Sequence, residues 1–435
     1  MNYKGKKVLI MGMQASGISA GFLLNKLGAE VFYYDDNTKI NITDFTNVTN
    51  NASEILTTID LIVASPAIPS KHHVIKDAVS RNIKIISELE LGCRHLNCPI
   101  IMVTGTNGKT TVITMIEKLL LSFGLKVKAM GNVGYPVSQV VLDQTLLDYA
   151  VVEASSFQLG YIETVKPYIA VVMNLAPDHL DRYDSYAGYV NDKKNIIKNQ
   201  TESDYIFINN DDAICRQFGK ESKARIIAIS PHITQTEVYI KDNYFMFNDT
   251  SLCHIRECKL RGEHNRFNLL VALNIGALLG AKREHLANLI KDYSTLPNRL
   301  EYVSTLNGIS YYNDSKSTNI HSCKYAIFSL EGDIGLIMGG SDKNEDFCEF
   351  FENIDEKVKA IAVCGSNAQK IFNSALKMGY TDIKVFTSLK EALHFLNTKK
   401  VQNVLFSPCS ASFDRYKNYA ERGEYFKSLV YEINI

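Results

Sequence analysis

The chain carries no net charge: 47 Lys and Arg balance 47 Asp and Glu. A protein that coats a polyanion is thereby disfavoured, because such binding rests on a basic surface. No stretch reaches the ~18 apolar residues that read as a membrane-spanning helix. With 9 prolines, 25 glycines and 10% aromatics there is no biased tract that would fail to form a core, which excludes disorder and low complexity. Nine cysteines are an odd number, and the pairs Cys93/Cys98 and Cys253/Cys258 lack the second half of a zinc framework. They read as reduced thiols of a cytoplasmic protein.

What is present is an ordinary globular composition, 46% hydrophobic and 22% charged over 435 residues, enough for about three domains at ~150 residues each. The basic start and the apolar run VLIMGM mimic a signal peptide. The interruption Gly12-Met13-Gln14-Ala15-Ser16-Gly17 and the second strand-like run EVFYYDD predict a folded strand, glycine turn and helix instead.

Short β-branched runs alternate with amphipathic patterns almost throughout, the mark of βαβ units around parallel sheets. The predicted fold is α/β with three domains: a Rossmann-like domain at 1–93, a central P-loop ATPase-like parallel sheet at 94–296, and a Rossmann-like domain at 297–435. The last opens on a hairpin-like run, EYVSTLNGISYYND.

The strongest local signal is Val103-Thr104-Gly105-Thr106-Asn107-Gly108-Lys109-Thr110-Thr111, between a strand (PIIMV) and a helix (TTVITMIEKLLLSF). That is the context of a phosphate loop: glycines let backbone N–H groups close on phosphate oxygens, Lys109 reaches the terminal phosphates, and the Thr110 hydroxyl can meet Mg²⁺. Val103 stands where the standard pattern has its first glycine. Ligands of such sheets lie beyond the carboxyl ends of the strands. Glu153 ends the run DYAVVEAS and is a candidate Mg²⁺ ligand, and His179 follows the run YIAVVMNL. Near the amino terminus the glycine turn lacks the middle glycine of a dinucleotide fingerprint, with Gln14 in its place and Asp35-Asp36 after the second strand. A uridine-diphosphate site at the same helix terminus suits it better than NAD. The last domain brings three strand-end stretches, Asn313 to Asn319, Gly339 to Lys343 and Ser407 to Asp414, rich in hydroxyls and cations.

Taken together these stretches resemble the Mur ligases of bacterial cell-wall synthesis over the full chain. TGTNGKTT, Glu153 to Gln158, Asn174-Leu175 with Asp178-His179-Leu180-Asp181, and Gly262-Glu263-His264-Asn265 stand in the family's order. NDSKSTN, the GG-x-D-K loop and SP-x-x-ASFDRYKNYAERG resemble the branch that adds D-glutamate to UDP-N-acetylmuramoyl-L-alanine. Another Mur-type amino-acid ligase or a folylpolyglutamate synthetase-like enzyme is the alternative. The resemblance implies an ATP-dependent amide-forming ligase in the cytoplasm, acting as a monomer with no nucleic-acid or membrane partner. It also implies two Mg²⁺ ions, held by Thr110, Glu153, His179 and a carbamylated Lys193. Lys193 is preferred to Lys194 because the family's Y-x-x-x-K-x-x-I stretch falls on Tyr189, Lys193 and Ile196. Lys109, Asn132, Glu153, His179 and Lys193 would carry the chemistry. Gly105, Thr106, Asn107, Gly108, Lys109, Thr110, Thr111, Asn268, Arg299 and Asp314 would bind ATP. Lys316, Thr318, Lys343, Ser412 and Tyr419 would bind D-glutamate, and Gln14, Ala15, Ser16, Asp35 and Ser65 the uridine substrate.

Overall fold

A computed structural model describes residues 2–36, 47–49, 51–178, 182–260, 262–294, 296–342, 345–352 and 354–433. Of the candidate residues, His179 and Lys343 lie outside these. The chain gathers into two compact units, 1–177 with 182–255 and 267–289, and 178–181 with 256–266 and 290–435.

The first unit holds two parallel sheets. In one, β1 (Lys7–Met11), β2 (Glu30–Tyr34), β3 (Leu61–Ala64) and β4 (Lys84–Ser87) lie in the order β2-β1-β3-β4. In the other, β5 (Ile100–Thr104), β6 (Val127–Gly131), β7 (Tyr149–Glu153), β8 (Ile169–Val172), β9 (Tyr205–Asn209) and β10 (Arg225–Ile229) lie in the order β10-β9-β8-β5-β7-β6. β5 is buried at every residue, as a parallel strand covered on both faces must be, and its sequence is accordingly apolar up to Thr104. β1 and β3, like β5 and β8, lie side by side while their following connections leave in opposite directions. Each pair is a topological switch point, where the strand ends open a crevice.

Four strands of this unit were not predicted, β6 and the three of a meander. β6 carries only a short apolar run. The antiparallel meander β11 (Val238–Lys241), β12 (Tyr244–Phe247) and β13 (Thr250–His254) turns at Asp242-Asn243 and Asn248-Asp249, all four at positive φ. Asn and Asp tolerate that region best after glycine, so the signal lay in turn chemistry rather than in apolar periodicity.

The second unit is built on β14 (Glu301–Leu306), β15 (Ile309–Asn313), β16 (Ile334–Met338), β17 (Val358–Val363), β18 (Ile383–Val385) and β19 (Asn403–Phe406), in the order β14-β15-β19-β16-β17-β18. Only the β14–β15 pair is antiparallel, the hairpin expected from the sequence. The expected α/β class holds, with parallel pairing everywhere among these sheets except in the meander and the β14–β15 hairpin. No helix among the described residues is long and apolar enough to cross a membrane.

Candidate active site

The loop after β5 turns into the helix Lys109–Ser122 through Gly108, whose φ is +86°. A Cβ there would also lie 2.8 Å from Asn268 Oδ1, so glycine is required twice, by backbone conformation and by the close approach of Asn268. The loop is held in shape by its neighbour. Asn107 N donates to Asn174 Oδ1 (2.8 Å), Asn174 Nδ2 returns a bond to Asn107 O (3.0 Å), and Thr106 N donates to Asn174 O (2.8 Å). Thr106 Oγ1 lies 2.9 Å from the Tyr189 hydroxyl. Lys109 Nζ donates to the carbonyls of Gly105 and Thr106 at 2.8 and 3.0 Å.

Glu153, 1% exposed at the end of β7, accepts from Thr110 Oγ1 at 2.8 Å on one oxygen and from Asn132 Nδ2 at 3.0 Å on the other. The structure thus joins three of the predicted residues, from three separate segments, on one carboxylate. Lys193 is 2% exposed. Its ammonium donates to Gly105 O at 2.8 Å, lies 3.4 Å from Thr104 Oγ1, and stands 4.8 Å over the Tyr189 ring. Lys194, the next residue, instead pairs with Glu221 at the surface. Among the described residues no three His, Cys, Asp or Glu side chains gather as a metal cage. A hydroxyl and a carboxylate beside a phosphate loop are nonetheless the hard oxygen donors that Mg²⁺ takes alongside substrate phosphates.

At the β1/β3 switch point, Met13 N donates to Asp35 Oδ2 (2.6 Å) and Ser65 Oγ to Gly12 O (3.1 Å). Gln14 precedes the helix Ala15–Lys26 without capping it. Gln14 and Ala15 are exposed and Ser16 is half-buried at that terminus. Arg182, which the sequence reading passed over, reaches this region: Nη2 donates to Ala67 O (3.1 Å) and the guanidinium stacks 3.7 Å over Phe157.

In the second unit, Asp314 accepts from Ser407 Oγ (2.8 Å) and Leu300 N (3.0 Å). Burial pushes its carboxyl up to about 7, against the weaker opposing pull of those bonds and of the Arg299 charge. Lys316 Nζ stands 3.7 Å over the Tyr419 ring, and Ser412 is 2% exposed. The sequence reading also passed over Arg422, 2% exposed. Its guanidinium donates to Ser315 Oγ (3.0 Å), Ser315 O (2.8 Å) and Ala411 O (3.0 Å), fastening the loop after β15 to the loop after β19. Its signal was an arginine inside the quoted stretch ERG. Asn319 Nδ2 reaches Asp178 Oδ2 at 3.3 Å.

Asp314 and the buried Glu88, whose carboxyl is likewise raised to about 7 by desolvation, set a pH dependence. Both are favoured as neutral acids in the folded state. Their folded form is therefore most stable below the ordinary carboxylate pKa and loses stability as pH rises from about 4 to about 7, by at most about 4 kcal/mol per group. Burial pushes the His264 imidazole down to about 4, which sets the opposite trend. Against it, these two acids should lower the melting temperature of the ligand-free protein from pH 5 to pH 7, and Asp314→Asn should lose the Asp314 share of that fall. Parallel melting curves for variant and wild type across that range would contradict the assignment.

Comparison with known proteins places this geometry. The model of the Mur ligase middle domain matches residues 103–276, and that of the Mur ligase glutamate ligase domain matches 298–408. A UDP-N-acetylmuramoylalanine--D-glutamate ligase of Thermoanaerobacter pseudethanolicus is 36% identical over the whole of both chains. One of Pediococcus pentosaceus is 34% identical over 99% of this chain and 97% of its own. Among solved structures, a pseudomurein peptide ligase type C from Methanothermus fervidus aligns with TM-score 0.62 at 15% identity, over 99% of this chain and 100% of its own. MurF ligase from Thermotoga maritima in complex with ADP aligns with TM-score 0.61 at 15% identity, over 99% and 96%. These two likenesses are of fold. The two family models cover the phosphate loop, Glu153, Lys193 and Asp314, and the sequence relatives run from end to end, so the chain belongs to the Mur ligase family.

Proposed function

We propose that this chain joins D-glutamate to the alanyl carboxylate of UDP-N-acetylmuramoyl-L-alanine, with ATP converted to ADP and phosphate. As a Mur ligase it is an ATP-dependent, amide-forming ligase of peptidoglycan synthesis. The observation that carries the choice of substrates is the end-to-end match to relatives of that name.

In this reading the phosphate loop, Gly105 to Thr111, cradles the triphosphate, and Asn268, Arg299 and Asp314 contact the rest of the nucleotide. An alanyl carboxylate oxygen attacks the γ-phosphorus, ADP leaves, and an acyl phosphate forms. The amine of D-glutamate then attacks the acyl carbon, loses a proton and expels phosphate. Lys109 exchanges its present carbonyl partners for phosphate oxygens, where its charge offsets the charge that develops on the transferred group. Asn132, whose amide donates to Glu153, would contact the reacting phosphate. Thr110 and Glu153 would hold one Mg²⁺, and His179 with a carbamylated Lys193 a second. Bound there, Mg²⁺ supplies Lewis-acid stabilisation of phosphoryl charge. Lys316, Thr318, Lys343 and Ser412, with Tyr419 beneath Lys316, would receive the D-glutamate carboxylates. Gln14, Ala15, Ser16, Asp35 and Ser65 would receive the uridine diphosphate. The same reading divides the chain at 93/94 and 296/297 and has it work as a cytoplasmic monomer.

The test is phosphate release with a panel of amino acids. Release should require both the muramoyl substrate and D-glutamate. Lys316→Ala should weaken D-glutamate use by roughly 1.5–3 kcal/mol, the worth of a charge-assisted bond, with ATP binding kept. Equal turnover with L-alanine or a diamino acid would refute the proposal.

A further inference from the structure

The helix Val137–Leu142 begins directly after the segment that carries Asn132, and its cap residue is Pro136, which makes no side-chain cap bond. The acceptor for its first N–H groups comes from another helix. Glu88, first residue of the helix Glu88–Cys93 and 0% exposed, takes the Ser138 N–H on Oε1 at 2.7 Å, with the Val137 N–H facing the same carboxyl. The two helices touch closely. A Cβ at Gly92 would fall 2.7 Å from Ser138 N and 2.7 Å from Val137 Cβ, so the contact admits no slack. On a third helix, Ala15–Lys26, Ser19 Oγ lies 3.2 Å from Gln139 Oε1.

Glu88 is costly where it stands. Oε2 is buried without a partner, and the Ser138 hydroxyl faces the carboxyl without reaching hydrogen-bond geometry. An apolar residue would avoid that cost, so the acceptor on Oε1 is what the position supplies. Its effect travels a short way. Gly131 N donates to Tyr135 O (2.9 Å), closing the segment between Asn132 and Pro136 into a loop, and Asn132 N donates to Glu153 O (2.9 Å). The first turn of the helix is thus joined through this loop to Asn132, whose backbone the β6–β7 pairing holds beside Glu153.

We propose that Glu88 is a positioning residue for phosphoryl transfer, acting through Ser138 and the Gly131–Pro136 loop to hold Asn132 on Glu153. This rests on the function proposed above. The experiment compares Glu88→Met, which fills the space without accepting a hydrogen bond, with Glu88→Gln, which keeps the acceptor. Glu88→Met should lower kcat by about tenfold or more with KM for ATP within about twofold, because the interaction lost acts on the reacting phosphate rather than on nucleotide binding. Glu88→Gln should keep at least about half of kcat, its amide retaining the bond to Ser138 N. In ¹⁵N-asparagine-labelled protein without substrates, the Asn132 side-chain amide resonance should move in Glu88→Met and stay in place in Glu88→Gln. Wild-type kcat in Glu88→Met, an equal loss in both variants, or an Asn132 resonance indifferent to Glu88→Met would overturn the proposal. A wild-type protein that releases no phosphate with the muramoyl substrate and D-glutamate would overturn the assigned function instead, and the resonance would still decide the role of Glu88.

Discussion

Lys193→Ala is expected to lose at least about a hundredfold in kcat, the scale of removing a charged group from a phosphoryl-transfer site, and to recover part of it in millimolar-range acetate. Lys194→Ala should be nearly neutral. The difference follows from burial. Lys193 is 2% exposed with its ammonium on Gly105 O, whereas Lys194 makes a surface ion pair with Glu221, of a kind worth ~0–1 kcal/mol. An ammonium repels Mg²⁺. Carbon dioxide added to the neutral amine, with loss of a proton, would turn the same stem into a carboxylate-like anion beside the phosphate loop. Acetate would restore that anion in the space left by alanine. Full activity in Lys193→Ala, or no carbamate signal when the wild type is equilibrated with ¹³C-bicarbonate and MgATP, would show that the wrong residue or the wrong chemistry was chosen.

Glu153→Ala should cost about as much, and Glu153→Gln nearly as much. Both carboxylate oxygens are already engaged, by Thr110 and Asn132. Glutamine therefore turns one acceptor into a donor facing a donor, besides removing the charge. The specific readout is nucleotide affinity with and without Mg²⁺, measured by calorimetry. Wild type should bind MgATP more tightly than ATP in a chelator, and both variants should lose most of that difference while still binding ATP. Unchanged Mg²⁺ dependence would remove Glu153 from the metal's ligands, leaving it the hydrogen-bonding role seen at Thr110 and Asn132.

Much of this site is legible in the residues themselves. The strand–loop–helix around Gly105–Thr111 is local: apolar β5, two glycines and a helix in unbroken succession dictate its shape whatever the rest of the chain does. Alternating strands and helices are likewise local patterns, and they determine an α/β chain with parallel sheets because parallel strands need crossover helices. Position at a strand end makes Glu153 a candidate, and its bonds to Thr110 and Asn132 are what set it apart from a surface carboxylate. The short strands of the meander were missed because four Asn and Asp residues at positive φ, rather than apolar period, define their turns.

Other features were decided only when distant segments met. The motif spacing from Tyr189 picks Lys193 over Lys194, but nothing in composition or charge says which of the two is buried. Consecutive residues on a helix point roughly 100° apart, and it is the packing of Tyr189 and the phosphate loop against one side that buries Lys193 and leaves its neighbour in water. Arg422 reads as one more charge in a polar stretch until the sheet order places β15 beside β19 and gives it Ser315 and Ala411 to hold together. Glu88 reads as an acidic first-turn residue of its own short helix, yet the acceptor it offers is used by a helix 50 positions on. Sequence therefore determined the elements and the chemistry available at their ends. Tertiary structure decided which charges are buried and which side chains share a partner, because desolvation and hydrogen-bond geometry depend on neighbours that chain order does not contain.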